Sequence, residues 1–180
     1  MTAFTIDIQD RAVKAALKAL SDRIGNIDPA LKTIGAGIIE RAKHRFETST
    51  APDGTPWKPN SAATIAILTR RLSGQNSKTL KGGSLNKEGL AALANKKPLI
   101  GESQHLRRQF VAIAASGTLT ITSTPQYAAI QQFGGKAGRG HKVTIPARPF
   151  LPIRPDGTLY PTEQATILDA LNHYLTDGLA

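Results

Sequence analysis

The hydrophobic pattern along the chain changes period several times, and each change predicts a new element. Phe4, Ile6 and Ile8 alternate with Thr5, Asp7 and Gln9, the period-two pattern of a strand with one buried face over residues 3–9. After Asp10, a helix cap, Val13, Leu17, Leu20 and Ile24 recur at helical spacing, with Arg11, Lys14, Lys18 and Arg23 off that stripe and Gly25-Asn26 as the stop. This predicts an amphipathic helix with its apolar face inward. Asp28-Pro29 opens a second helix, since proline at the first helical position lacks only an N–H that would be unpaired anyway. Leu31, Ile34, Ile38, Ala42 and Phe46 form its stripe, and Gly35 and Gly37 within it predict the close approach of another backbone. The helix must end by residues 48–51, before Pro52.

Residues 51–60 cannot continue a helix, and Pro52-Asp53-Gly54 has the residue types of a tight turn. The turn leads to Trp57, the single tryptophan, placed over the core edge or at an interface. A short helical piece over 62–72 precedes a stretch, 73–97, rich in Ser, Asn, Gly and Lys. So few large apolar groups predict a long mobile loop, with at most a helical turn near 89–95 and with Lys78, Lys81, Lys87, Lys96 and Lys97 unpaired. Residues 106–115 and 118–124 read as two strands around a Ser116-Gly117 hairpin turn. Tyr127, Ile130 and Phe133 then share one side of a short helix, and the glycine-rich run 134–140 reads as a flexible linker. A brief strand at 143–145, an extended proline segment at 146–152 and a last helix from Pro161 or Thr162 complete the chain. Ile167, Leu168, Leu171, Tyr174 and Leu175 form that helix's buried side and Gly178 its stop. The class is α+β: a small, mainly antiparallel sheet flanked by two N-terminal helices and a C-terminal helix, with a long flexible Lys-rich loop. One domain over 1–180 is expected, with flexible loops at about 73–97 and 134–142.

Charge adds a regional feature to this picture. The chain carries 23 Lys+Arg against 13 Asp+Glu, a net +10. Residues 61–154 hold fourteen bases against Glu88 and Glu102 alone, whereas 155–180 has four acids and no base. A basic middle favours a polyanionic neighbour, and the acidic end is a candidate mate for it within the chain or on a neighbouring subunit. With no cysteine, disulfides, thiol nucleophiles and thiolate zinc sites are excluded, and an intracellular origin is expected. The longest unbroken apolar run, 110–115, is far shorter than the roughly 20 residues of a membrane span, and the N-terminal residues lack the pattern of a signal peptide.

Candidate chemistry is sparse. His44, His105, His141 and His173 lie far apart and form no ligand pair, so no metal or cofactor is expected. The 134–140 loop fits no phosphate-binding spacing, no serine sits in a nucleophile elbow, and the basic half offers only two carboxylates for acid–base work. An enzyme is not expected. Composition alone would favour a small, sequence-independent nucleic-acid-binding protein.

Three clusters redirect that reading. Phe46 followed by Pro52-Asp53-Gly54-x-Pro56-Trp57, then Tyr127-Ala128-Ala129-Ile130-x-x-Phe133-Gly134-Gly135, then Ile145-Pro146-Ala147-Arg148-Pro149-Phe150-Leu151 stand in order along about residues 30–175. In order and spacing the chain resembles the phage virion morphogenesis family, the tail completion proteins like the phage Mu gene G product. One departure is Ser103-Gln104-His105-Leu106, where the family often has Thr-Gly-x-Leu. The resemblance implies a non-enzymatic structural protein of the phage or prophage virion, assembled in the host cytoplasm, that completes the tail and joins it to the head at the neck as a subunit of a homo-oligomeric ring. Implied partners are further copies of itself and neighbouring neck, connector or tail-tube proteins, with no membrane. Trp57, Tyr127, Phe133 and Phe150 are then anchors of the core or of the ring interface. Arg148, between prolines, is a candidate to pair with a neighbour's carboxylate. A ring would also gather Arg70, Arg71, Lys78, Lys81, Lys87, Lys96, Lys97, Lys136, Arg139 and Lys142 toward DNA phosphates in a channel, or toward an acidic patch of an adjoining ring.

Overall fold

The computed structural model of the chain describes residues 11–177. The strand expected over residues 3–9, the Asp10 cap and the Gly178 stop lie outside the described residues. Within them the order is helix α1 (Arg11–Gly25), α2 (Asp28–Thr48), α3 (Ala62–Ser73), α4 (Lys87–Ala94), α5 (His105–Arg108), strands β1 (Phe110–Ala115) and β2 (Thr118–Ser123), α6 (Ala128–Phe133), β3 (Gly135–Ala137), β4 (Val143–Ile145) and α7 (Pro161–Thr176). The α+β class holds, with two small antiparallel sheets, β1-β2 and β3-β4.

The long helix α2 is the spine. Pro29 sits in its first turn as expected, but Asp28 does not cap it. Its carboxylate instead accepts the backbone N–H groups of Ser116 (3.1 Å) and Gly117 (2.8 Å), pinning the β1-β2 turn onto the helix start. Both turn residues have positive φ, as a two-residue hairpin turn requires. The hairpin lies across α2, and one face of it is partly covered while Val111 and Ile113 point outward. Gly35 marks the crossing: a Cβ there would stand 2.9 Å from a Leu119 methyl and 3.1 Å from the Ala112 Cβ. The close approach read from the glycines is thus made by hairpin side chains, and at Gly37 only by the Arg41 side chain.

Below the hairpin the core gathers Phe46, Ala51, Trp57, Leu106, Ala128 and Phe150. Leu106 reaches it from the helical turn α5, so the first hairpin strand begins at Phe110, four residues later than the pattern suggested. Gln104, at the position of the family's glycine, takes the left-handed conformation (φ 51°), so the turn into α5 is made without glycine.

Four expectations need correction. Helix α1 forms over the expected residues, but none of them is buried: Leu17 and Ile24 are 61% and 59% exposed, and of the stripe Leu20 is partly covered where α1 meets α7. The stretch 73–97 is folded back on itself. Asn86 caps α4 by accepting the Gly89 N–H, donates to Ser77 O, and Gly89 approaches the Lys78 carbonyl too closely for any side chain. Three of its lysines are engaged: Lys78 with Glu88 (3.3 Å), Lys96 with the Ile100 carbonyl and Lys97 with the Glu47 carbonyl. The glycine-rich run likewise forms a β3-β4 hairpin, with the expected strand at 143–145 as its second arm. On α7, Leu168 is exposed rather than inward, while Ile167, Leu171, Tyr174 and Leu175 are partly covered.

Candidate functional site

The three motif clusters, far apart in sequence, meet in one place. Pro52-Asp53-Gly54 forms the expected turn: Gly54, at φ 82°, donates to the Ala51 carbonyl (2.9 Å) and Ala51 to the Thr55 carbonyl (2.8 Å). Asp53 accepts the Thr55 N–H (3.0 Å), which holds its carboxyl below the ordinary range. The turn delivers Trp57 edge-on to Phe46 (5.4 Å between ring centres), and the indole N–H donates to the Pro149 carbonyl (2.9 Å). Trp57 therefore belongs to the core, its one polar atom satisfied from the third cluster.

Arg148 sits beside it, pointing inward. Its Nε and Nη2 donate to the carbonyls of Lys58 and Pro59, both at 2.8 Å, and burial pushes its pKa down. The guanidinium expected to meet a neighbour's carboxylate is instead spent on this chain's own proline loop. Phe150 is fully buried against Phe46 (5.3 Å) and Phe110 (5.9 Å), with Leu151 half-buried alongside.

The second cluster is tied in by a residue its motif leaves unspecified. Gln132, 2% exposed, accepts the Phe150 (2.8 Å) and Leu151 (2.9 Å) N–H groups and donates to the Leu151 (3.2 Å) and Ile153 (3.0 Å) carbonyls. Both N–H donors and both oxygen lone pairs of its amide are thus used, as a buried amide requires. This turns α6 so that Ala128 and Gln132 face in, and Tyr127 and Phe133, 48% and 42% exposed, face out. The four aromatic anchors thus divide: Trp57 and Phe150 inside, Tyr127 and Phe133 on the surface. Gly134 follows at φ 73°, where a Cβ would stand 2.8 Å from the Ala147 nitrogen; the third cluster runs directly against it.

Sequence reasoning missed a buried ion triad on the other side of Phe150. Glu163 of α7 is 3% exposed and pairs with Arg45 and with Arg41 (2.9 Å), while Arg45 also donates to the Phe150 carbonyl (2.8 Å). Desolvation lowers the Arg45 pKa, against which the Glu163 charge acts. The signal available was the arginine pair one helical turn apart on α2, on the same side as its apolar stripe. A second missed feature is an internal repeat: Pro-Asp-Gly-Thr occurs at 52–55 and again at 155–158. The second copy closes the same turn, with Arg154 donating to Thr158 O (2.8 Å), Gly157 to Arg154 O (3.1 Å) and Asp156 accepting the Thr158 N–H (2.9 Å). The two turns adjoin, since Thr162 donates to the Pro52 carbonyl (3.1 Å), and Arg154 lies over the Tyr160 ring (5.1 Å). Burial, and secondarily the Asp53 charge, raises the Tyr160 pKa.

Gln132, Arg148, Arg45 and Glu163 are committed to backbone or to each other, whereas the buried Gln131 Oε1 and Ser123 Oγ have no hydrogen-bond partner among the described residues. Among the described residues no three His, Asp or Glu side chains gather as metal ligands. The centre fixes geometry; interaction falls to the surface. There the basic candidates divide: Arg71 pairs with Glu102 (2.5 Å) and Lys78, Lys96 and Lys97 are engaged as described. Arg70, Lys81, Lys87, Lys136, Arg139 and Lys142 are exposed and carry no ion pair among the described residues. No described helix is long and apolar enough to cross a membrane.

Comparison with known proteins agrees with the motif resemblance. The phage virion morphogenesis family matches over residues 8–176, nearly the whole chain. The Mu-like prophage FluMu G protein 2 of Haemophilus influenzae is 40% identical over 77 residues, 43% of this chain and 51% of that protein. The chain thus spans about half the length of this curated relative. No solved structure matches.

Proposed function

The chain belongs to the phage virion morphogenesis family, and on that premise we propose that it is a structural subunit that completes the tail and joins it to the head at the neck, working as a homo-oligomeric ring. The observation that carries this reading is the contrast between centre and surface. The interior is locked by Gln132, Arg148 and the Glu163 triad, each bonded to backbone or to a partner side chain. Outside it, Leu17, Ile24, Ile113, Tyr127, Phe133 and Leu168 are exposed, large apolar side chains available to a neighbour. A building block needs that combination: a rigid body and faces completed by neighbours. Its ring would adjoin neck, connector or tail-tube proteins, with the uncommitted cations Lys81, Lys87, Lys136, Arg139 and Lys142 toward DNA phosphates or an acidic protein face.

Light scattering of the purified chain, together with DNA binding titrated against salt, tests this. Self-assembly with weak DNA affinity is expected. A monomer that binds DNA tightly, with a steep salt slope, would instead favour a nucleic-acid-binding protein.

A further inference from the structure

The Lys-rich segment leaves the body after Trp57 and rejoins it at Leu99, and there two clefts of about 290 and 470 Å³ meet at Asn60 and Lys96. Trp57 with Pro56 and Pro59 lines one side of the larger, and Leu93 and Ala94 of α4 line the other. The smaller continues past Leu99 and Ile100 to Tyr127 and to Gln131 of α6. The first two motif clusters and the Lys-rich segment thus border one double cleft, of a size that suits a ligand.

The polar groups along it are incomplete. The Lys96 ammonium, part-buried, rests on the Ile100 carbonyl, and Lys97 beside it on the Glu47 carbonyl. Neither pairs with a carboxylate among the described residues, and the nearby Glu47 and Glu102 are taken by Arg107 and Arg71. A covered ammonium held by one neutral carbonyl lacks its counter-charge. The Asn60 amide donates to the Lys96 carbonyl (3.1 Å), and its oxygen accepts nothing among the described residues. Gln131 is half-buried and its Oε1 has no donor; the terminal torsion of a glutamine is soft, so an N–H in the cleft gives it what the fold does not.

A carboxylate, N–H donors and apolar side chains on one ligand answer all of these, and an acidic peptide carries all three. A phosphate backbone offers Asn60 and Gln131 only further acceptors and leaves the apolar walls uncovered. A further copy of the chain has little to give: among the described residues of its acidic end, Glu163 and Asp156 are bonded internally, and only Asp169 and Asp177 are without a side-chain partner. We propose that the double cleft takes an acidic, leucine-rich peptide segment of a different protein, its carboxylates on Lys96 and Lys97 and its apolar side chains between Trp57 and Leu93. Only the source of that segment, a neighbouring virion protein, rests on the assembly reading above.

Trp57 is the single tryptophan and lines the larger cleft, so its emission reads occupancy directly. The probes are acetyl-Leu-Glu-Leu-Asp-Leu-amide, its neutral counterpart acetyl-Leu-Gln-Leu-Asn-Leu-amide and a short oligothymidylate. The acidic peptide is expected to give a saturable change, with affinity at least tenfold lower for the neutral peptide and in Lys96→Gln, which keeps an N–H for the Ile100 carbonyl. Lys81→Gln, exposed and outside the cleft lining, should bind as the parent does. Gln131→Leu removes an unpaired buried oxygen, so it should weaken the peptide at an unchanged or higher urea midpoint, which a purely structural role would not do. Equal affinity for the two peptides, or tighter binding of the oligothymidylate at the same site, overturns the proposal. So does an emission change on self-association alone that Lys96→Gln abolishes, since the occupant is then a further copy. No response from a chain that light scattering shows to assemble overturns it and leaves the assembly reading standing. A response from a chain that stays monomeric supports the cleft while the ring reading fails.

Discussion

Glu163 holds the C-terminal helix to the spine through two guanidiniums at once, and Arg45 passes the connection on to the Phe150 carbonyl. Removing its charge leaves the buried Arg45 without its carboxylate, while Arg41, a third exposed, can turn to water, so Glu163→Gln is expected to cost about 2 kcal/mol, read as a lower urea midpoint at unchanged slope. A loss no larger than that of an exposed acid such as Glu40→Gln would mean the triad is solvated. Gln104 offers the opposite case. It adopts a left-handed conformation that costs a non-glycine residue about 1 kcal/mol, and its side chain makes only a long contact with Arg107 (3.4 Å). Gln104→Gly should therefore be neutral to stabilising by up to about 1 kcal/mol in thermal melts, the backbone strain removed being partly offset by glycine's greater unfolded-state entropy. Residue types told part of this scale. Trp57 and Phe150 read as apolar anchors and are; Arg148 read as an interface residue because sequence shows a charge and its prolines but not the two carbonyls that bend back to meet it. Gln132 carried no signal, since a glutamine's value here lies wholly in what surrounds it.

Among the elements, α2, the β1-β2 hairpin and α7 were legible because each has a long periodic stripe or a recognisable turn. Helix α4 was legible only as a helical turn near 89–95, and of the β3-β4 hairpin only the strand at 143–145. Their stretches are rich in Lys, Gly and Asn, and what orders them is local: one Asn86 cap, and glycines that allow positive φ. The stripe of α1 was equally clear, but periodicity says that a face seeks cover without saying what covers it. The α2–hairpin crossing is where element packing is least forgiving. Gly35→Val introduces a branched side chain where even a Cβ would touch Leu119 and Ala112, and lifting the hairpin should cost about 2 kcal/mol, measured by chemical denaturation. Gly37→Val meets only the flexible Arg41 side chain and serves as the control: an equal loss there would mean that helix propensity, not the crossing, sets the cost.

For the whole molecule, the motif clusters that mark the family are the parts that build its centre. Trp57 reaches Pro149, Arg148 reaches Lys58 and Pro59, and Gln132 reaches residues 150–153, so each cluster satisfies polar groups of another. Outside that centre lie the basic turns, the outward aromatics Tyr127 and Phe133, and the groove beside β2. The net charge that composition associates with DNA is divided in the fold, part consumed by Glu47, Glu88, Glu102 and backbone carbonyls and part left exposed. The most direct measurement of the central claim is electron microscopy of particles made by the phage or prophage with this gene deleted and with it restored. The account predicts DNA-filled heads and separate, unjoined tails on deletion, and joined particles on restoration. Normally joined particles in the deleted background would contradict it.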